Sequence, residues 1–274
     1  MKIAYIGDLH IDFYCTQRNP QHRDYYPQFQ RYISNVLRPV PADILLVAGD
    51  IGHYNQQNID LLIALKEHYP TIIVTYGNHE MYILSTSDLN KYNYSSKARV
   101  DEFKAMCTAN DIHCLDGDTV SVAGLTISGL PMWYNLPTPA DMHKWFYYLN
   151  DSRYIVEGYT IPAYAYSKKA EPFDTQAFYH EQLAKLQALP HSDILLTHVS
   201  PVIRPTHIQG HHADFTDYDI FYETDNLEHI KANYCVFGHS HDIGTFTLGS
   251  TTFLTNSIGY PNESLPSSIT TFTI

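Results

Sequence analysis

The residues of this sequence that could carry out chemistry are Asp, Asn and His side chains placed directly after short apolar segments. Such clusters occur five times: Asp8 and His10 in GDLH, Asp50 in AGD, Asn78 and His79 in GNHE, His198 in LTHVS, and His239 and His241 in GHSH. Imidazole, carboxylate and amide groups together suit borderline divalent ions such as Mn, Fe, Zn or Ni, whereas an all-oxygen set suits Mg or Ca. The clusters therefore predict a transition-metal site.

The same residue types could bind a pair of ions. Two divalent ions about 3.5 to 4 Å apart repel each other and need an anionic ligand between them. A short carboxylate such as Asp50 can provide this bridge, and His239 and His241 alternate along an extended loop and could contact different ions. We therefore expect two metal ions that share Asp50.

The elements that must position these clusters are short apolar runs, typical of strands buried on both faces. They read KIAYI, DILLVA, TIIVT, DILLT and YCVF. Helical patterns lie between them, over 25–37 with Phe29, Ile33, Val36 and Leu37 on one stripe, and over 57–68 with Ile59, Leu62, Ile63 and Leu65. Alternating strands and helices indicate an α/β fold, whose functional groups gather at the carboxyl ends of the strands. All five clusters should therefore meet.

The second half of the chain has a different pattern. Residues 112–130, 243–257 and 267–274 alternate in polarity and turn at glycines, as antiparallel strands do, so we expect mixed sheets. Residues 131–173 are rich in aromatic side chains and follow no single period, which suggests an insertion or lid. Its rings could stack on a nucleobase or aryl group, or pack the insertion against the rest of the molecule. We expect one domain over 1–274.

Composition limits the class of protein. The chain has 274 residues, 44% of them hydrophobic, no run near the roughly 20 apolar residues of a membrane span, and no secretory signal pattern. A cytoplasmic protein without a membrane partner is expected. The formal charge of −12 opposes contact with extended nucleic acid, so a small phosphorylated partner is favoured. The oligomeric state does not follow from the sequence.

In their order and spacing the clusters resemble the calcineurin-like metallophosphoesterase superfamily, whose pattern D-x-H, G-D, G-N-H-[DE], H, G-H-x-H is complete over residues 8–241. The resemblance implies a four-layer sandwich of two mixed sheets flanked by helices. It implies that Asp8, His10, Asp50 and His241 bind the first metal, and that Asp50, Asn78, His198 and His239 bind the second. His79 would be a catalytic general acid or electrostatic stabiliser rather than a ligand.

A narrower similarity, to a bacterial and phage-type branch, is carried by residues around Asn150, Asp151 and Arg153 and by the segment 255–263. The branch usually reads N-P-R-G-Y in that second segment. Here Ser257 and Ile258 replace the Pro and Arg, so a substrate contact by that Arg does not carry over.

The activity implied is hydrolysis of a phosphomonoester or phosphodiester bond of a small molecule, such as a nucleotide, by attack of a metal-bridging hydroxide. A DNA or RNA nuclease on the same fold, or a non-catalytic scaffold, are the alternatives. The intact ligand set with His79 favours an enzyme, and the acidity of the chain opposes the nuclease.

Several further residues keep two interpretations. Glu80 could orient a neighbouring imidazole or cap the following helix. His53 and the loop residues His207, His211 and His212 could contact substrate or lie in solvated loops. Arg153 and Arg204 could bind phosphate or form salt bridges.

Overall fold

The structure is a computed structural model that describes residues 1–161, 168–206, 208, 218–263 and 267–274. Its strands, in chain order, are β1 (Lys2–Ile6), β2 (Ile44–Ala48), β3 (Thr71–Thr75), β4 (His113–Cys114), β5 (Asp118–Val122), β6 (Leu125–Leu130), β7 (Val156–Thr160), β8 (Lys169–Pro172), β9 (Ser192–Thr197), β10 (Ala232–Phe237), β11 (Ile243–Leu248), β12 (Thr251–Asn256) and β13 (Thr270–Thr273). The five apolar runs form β1, β2, β3, β9 and β10, as the sequence predicts.

These strands form two large sheets and a small hairpin. One sheet has the order β13-β1-β2-β3-β4 and the other β11-β12-β10-β9-β6-β5, while β7 pairs with β8 alone. The pairs β1–β2, β2–β3, β6–β9 and β9–β10 are parallel, whereas β1–β13, β5–β6 and β11–β12 are antiparallel. The prediction of mixed sheets is confirmed.

The α-helices lie between the strands in sequence. They are α1 (Ile11–Tyr14), α2 (Tyr25–Tyr32), α3 (Asn55–Leu65), α4 (Thr86–Lys91), α5 (Ser96–Ala109), α6 (Pro139–Tyr148), α7 (Asp151–Tyr154) and α8 (Thr175–Ala188). A π-helical turn, Ile33–Leu37, extends α2. None of the helices in the described ranges is both long enough and apolar enough to cross a membrane.

Alternation along the strands creates the layers. One set of buried residues, including Ile3, Leu46, Ile194 and Val236, packs between the two sheets. Their chain neighbours point the other way because successive side chains of a strand face opposite sides. These neighbours, which include Ala4, Leu45 and Cys235, pack with residues of the helices. The helical residues include Phe29, Leu62 and Leu186. The result is helices, sheet, sheet, helices, which confirms the expected four-layer α/β sandwich.

The helical stripes are partly corrected. The stripe of the first segment is buried at Phe29, Ile33 and Leu37, although α2 continues there as a π-helical turn rather than as α-helix. In α3 the expected core residue Ile63 is 41% exposed, whereas Ile59 and Leu62 are buried in the cluster that α3 forms with its neighbours, α5 among them. That part of the stripe prediction is wrong.

The segment 131–173 is described except for 162–167 and contains α6, α7, β7 and β8. Trp133, Tyr134 and Trp145 have no exposed surface. Of the two interpretations of its rings, packing holds for these three, whereas Phe146, Tyr147 and Tyr148 at the end of α6 are about half or more exposed. That the segment is an insertion or lid stays a prediction.

Candidate metal centre

The seven predicted ligands lie together because each follows the carboxyl end of a strand. Asp8 and His10 follow β1, Asp50 follows β2, Asn78 follows β3, His198 follows β9, and His239 and His241 follow β10. Parallel strands end at the same edge of a sheet, so the two sheets present these loops to one another. The seven side chains meet where these loops face one another, as the positions of the strand ends predict.

The backbone at this edge is unusual. Asp8, His10, Asp50, His239 and His241 all have positive φ, between 41° and 69°, which non-glycine residues adopt seldom. Residues in such conformations cluster at functional sites, where the surrounding contacts stabilise them. Gly77 is needed for a different reason, because a Cβ there would lie 2.1 Å from Oδ1 of Asp50 and 2.6 Å from Nε2 of His198.

Asp8, His10 and His241 form the first group that could hold a metal ion, with their ligand atoms within 4.8 Å of one another. Nε2 of His10 and Nε2 of His241 are 2.9 Å apart. Nδ1 of His241 lies 2.7 Å from Oε2 of Glu263, to which it donates, so Nε2 points its lone pair into the group. This contact with Glu263 helps to raise the pKa of His241 against the opposing effect of burial.

Asp50, His198 and His239 form a second group. Nε2 of His198 lies 3.4 Å from Oδ1 of Asp50, 3.1 Å from Nδ1 of His239 and 3.0 Å from Oδ1 of Asn78. The far nitrogens of both imidazoles face backbone carbonyls, of Ala48 and Phe221, at 2.8 Å. Since a carbonyl only accepts, those nitrogens carry the protons. The nitrogens inside the group therefore keep their lone pairs.

Three imidazoles of the centre, those of His10, His198 and His239, are held in the neutral form that binds metals. Burial lowers the pKa of His10 and of His198 well below the ordinary value, and it lowers that of His239 to about 3. Neutral imidazole, with its second N–H bound to a carbonyl or carboxylate, is the usual metal-ligating arrangement. The donor set fits a borderline divalent ion.

Asp50 lies between the two groups. Its Oδ2 is 4.0 Å from Nε2 of His10, and its Oδ1 is 3.4 Å from Nε2 of His198. Burial first, and then the carboxylates of Glu80 and Asp8, raise the pKa of Asp50 well above its ordinary range. Buried anions this close together require compensating positive charge, which metal ions would supply.

His79 lies beside both groups. Its backbone N–H donates to Oδ1 of Asp50 at 2.9 Å, and its ring lies 4.4 Å from that of His10. Nε2 faces the hydroxyl of Tyr260 at 3.2 Å, while Nδ1 is buried without a partner in the described structure. With His10 and Asp50 it forms a third group close enough for metal binding. Its assignment as a non-ligand therefore stays a prediction.

Glu80 has a role that neither interpretation of the sequence anticipated. Its carboxylate is fully buried and accepts from the backbone N–H groups of Asp50, Ile51, Gly52 and Gly77 at 2.7 to 3.0 Å. It therefore joins the loop after β2 to the loop after β3. It contacts no imidazole of the centre through a hydrogen bond in the described structure, and it does not cap α4.

Replacement of Glu80 by Gln should lower the stability of the protein by about 2–3 kcal/mol, because an amide NH₂ would face backbone donors. For a chain of this size that corresponds to a drop of roughly 5–10 °C in the midpoint of thermal unfolding. The measurement is thermal unfolding in the presence of EDTA. Glu228→Gln, at a side chain that is 82% exposed, is the matched control and should leave the midpoint unchanged.

Three contacts around the centre were missed in the sequence. Tyr260 stacks on His10 with ring centroids 4.4 Å apart, and Glu263 binds His241. Both lie in the segment 255–263, and the similarity of this segment to the phage-type branch could have indicated that it lies near the centre. Ser257, where that branch has Pro, donates its hydroxyl to Oδ2 of Asp8. Ile258, in the place of the branch's Arg, is buried.

The structure shows what surrounds the residues for which the sequence left two interpretations. His53 stacks on His79, with centroids 4.4 Å apart and planes 8° apart, and its Nδ1 lies 2.6 Å from Oδ2 of Asp12. Arg204 is buried among the carboxylates of Asp219, Glu223 and Asp242, which supports the salt-bridge interpretation. Arg153 is exposed, and within the described residues its hydrogen bonds are to Asn150 and a backbone carbonyl at 3.4 to 3.5 Å. His207, His211 and His212 lie outside the described residues.

Comparisons with known proteins identify the family of the chain and structures with a similar fold. The family described as calcineurin-like phosphoesterase matches residues 1–242, which include all seven candidate ligands. The fold is similar to that of a phosphopantetheinyl hydrolase from Mycobacterium tuberculosis, with a TM-score of 0.66, 18% identity, and coverage of 99% of this chain and 95% of that one. A putative 5′-nucleotidase from Staphylococcus aureus matches with a TM-score of 0.41 and 13% identity over 94% of this chain and 49% of that one. None of the curated proteins matches the sequence significantly.

Proposed function

The chain belongs to the calcineurin-like phosphoesterase family, and on that basis we propose that it hydrolyses a phosphomonoester or phosphodiester bond of a small molecule with two divalent metal ions. Asp8, His10, Asp50 and His241 would bind one ion. Asp50, Asn78, His198 and His239 would bind the other. Mn, Fe, Zn and Ni suit these nitrogen and oxygen ligands.

The observation that carries the proposal is the direction of the imidazole nitrogens. His198, His239 and His241 each donate one ring N–H to a carbonyl or carboxylate outside the centre. The remaining nitrogen of His241 lies 2.9 Å from Nε2 of His10, and that of His198 lies 3.0 Å from Oδ1 of Asn78 and 3.4 Å from Oδ1 of Asp50. The remaining nitrogen of His239 lies 3.1 Å from Nε2 of His198. A set of lone pairs directed inward is suited to cations and is a costly arrangement without them.

The bound ions would supply Lewis-acid stabilisation of the phosphoryl oxygens and a water acidic enough to attack phosphorus near neutral pH. The chain's own residues do the rest. The negative charge of Asp50 would reduce the repulsion between the two ions. Its Oδ1 accepts a hydrogen bond from the backbone N–H of His79. His79, whose Nε2 lies 3.8 Å from Oδ2 of Asp50, would donate from that nitrogen to a phosphoryl or leaving-group oxygen. In the net reaction, the oxygen of water replaces the leaving group on phosphorus, and the leaving group departs with a proton.

A small substrate is favoured over extended nucleic acid. The net charge is −12, and two buried arginines of the described structure are fully engaged. Arg204 binds three carboxylates, and Arg99 binds the backbone carbonyls of His53, His79 and Tyr82. Neither is free to follow a phosphate backbone, which normally needs a surface of Lys and Arg.

The test is hydrolysis of p-nitrophenyl phosphate and of bis-p-nitrophenyl phosphate by the purified full chain supplied with Mn²⁺. We expect turnover of at least one compound and its loss on addition of EDTA. The ratio of the two rates decides between a monoesterase and a diesterase. Equal rates with and without EDTA, or no turnover of either ester by a protein that contains metal, would refute the proposed hydrolase. Cleavage of single-stranded DNA or RNA instead would favour the nuclease.

A further inference from the structure

Asn78 is held by a buried carboxylate from the aromatic segment. Its Nδ2 donates to Oδ1 of Asp151 at 2.9 Å and to the hydroxyl of Tyr82 at 3.1 Å. Asp151 is only 2% exposed, and 73 residues separate it from Asn78 in the chain. Both hydrogens of the amide nitrogen are thereby used. The amide oxygen is left to face His198, whose Nε2 lies 3.0 Å away.

The carboxylate of Asp151 is itself constrained to accept. Tyr134 donates to its Oδ2 at 2.6 Å, and Tyr82 donates to its Oδ1 at 2.5 Å. The indole Nε1 of Trp145 donates to the hydroxyl of Tyr134 at 2.5 Å. An indole N–H can only donate, so Tyr134 accepts from Trp145 and directs its own proton to Asp151. Trp145 thus supports the bond from Tyr134 to Oδ2, while Asn78 and Tyr82 donate to Oδ1.

We propose that Asp151 is a positioning residue for metal binding, which orients Asn78 so that the amide oxygen rather than the amide nitrogen faces the metal centre. An amide nitrogen presents hydrogens and no ligand lone pair, so the opposite orientation would remove one ligand. This inference rests on the proposed function, because it requires that Asn78 binds an ion. It also connects part of the aromatic segment to the metal centre, because Tyr134 and Trp145 act on Asn78 through Asp151.

Asp151→Asn is the informative change because it preserves shape. If the new NH₂ replaces Oδ1, it faces the donors of Asn78 and Tyr82. If it replaces Oδ2, it faces Tyr134, whose oxygen already accepts from Trp145. The first orientation places donor against donor; the second removes the bond from Tyr134 to Asp151, because the Tyr134 hydroxyl would have to accept from both Trp145 and residue 151. Changes to groups that orient metal ligands lower metal affinity by about 10–100-fold.

The experiment measures bound Mn²⁺ per chain after dialysis of the loaded full-length protein against graded EDTA. We expect D151N to lose one of two ions at about 10–100-fold lower free EDTA than the wild type, and the other ion at the wild-type concentration. Tyr134→Phe removes one link of the same chain and should weaken the same ion by about 3–10-fold. If D151N does not fold, Y134F decides the question by the same measurement.

Asp60→Asn is the matched control. Asp60 is also a buried carboxylate that accepts from a tyrosine hydroxyl, that of Tyr25 at 2.7 Å, but it has no hydrogen bond to the metal centre in the described structure. D60N should lose stability and retain both ions. If D151N or Y134F loses stability but retains both ions as the wild type does, the inference is overturned. A wild-type chain that binds no Mn²⁺ would overturn the proposed function itself.

Discussion

Replacement of His79 by Asn lowers phosphoester hydrolysis by about 100–1,000-fold and leaves two metal ions bound, if His79 donates to the reacting phosphoryl group rather than to an ion. The loss of a single preorganised donor in an enclosed site has this size because no other group can move into its place. The structure supports the assignment because Nε2 of His79 faces the centre, 3.8 Å from Oδ2 of Asp50. The backbone N–H of residue 79, which binds Asp50, is kept in the variant.

Steady-state hydrolysis of p-nitrophenyl esters and bound metal per chain, measured on the same sample, check this prediction. Tyr260→Phe is a second variant with a smaller expected effect, since it removes only the hydroxyl that lies 3.2 Å from Nε2 of His79. One hydrogen bond predicts a loss of about 2–12-fold. If H79N loses a metal ion together with activity, His79 is a ligand, as its position beside His10 and Asp50 also allows.

The replacement of Asp50 by Asn is expected to remove both ions, not one, and to lower hydrolysis by roughly 1,000-fold or more. Asp50 lies between the two groups, with Oδ2 directed at His10 and Oδ1 at His198. Its removal takes away the negative charge that would reduce repulsion between two cations. The remaining ligands of each group would then have to bind one cation despite its repulsion by the other cation.

Bound metal per chain after dialysis against graded EDTA measures this effect. Asp12→Asn is the matched control, because Asp12 is a buried carboxylate only two residues after His10 and binds His53 rather than a predicted ligand. D12N removes the same charge and should retain both ions. Loss of a single ion from D50N would contradict the assignment of Asp50 as a shared ligand.

Both predictions concern residues that sequence alone selected. The strands that carry them are local features, since an apolar run of five or six residues with β-branched side chains is typical of a buried strand in any context. Ligand position then follows from a general rule, that the carboxyl ends of parallel strands gather at one edge. Asp8, Asp50 and His198 come from β1, β2 and β9, in two different sheets, and lie together as expected.

The sequence was less informative about local geometry. The exposure of Ile63 and the π-helical turn after α2 are two examples, since the periodic pattern of apolar residues specifies neither. The positive φ of His239 and His241 is likewise invisible in a G-H-S-H motif, because neither residue type requires it. Packing against neighbouring loops stabilises these conformations.

By itself, then, the sequence determined the fold class, the order of the strands that carry the candidate ligands, and the chemical nature of those side chains. Only the tertiary structure decided what orients them. Glu263 binds His241 across 22 residues, and Asp151 binds Asn78 across 73. Such hydrogen bonds have no periodicity along the chain, because each depends on the direction of two side chains brought together by folding. The apolar pattern specifies where a strand ends, whereas a hydrogen-bond partner distant in sequence specifies which lone pair of a side chain faces the candidate metal centre.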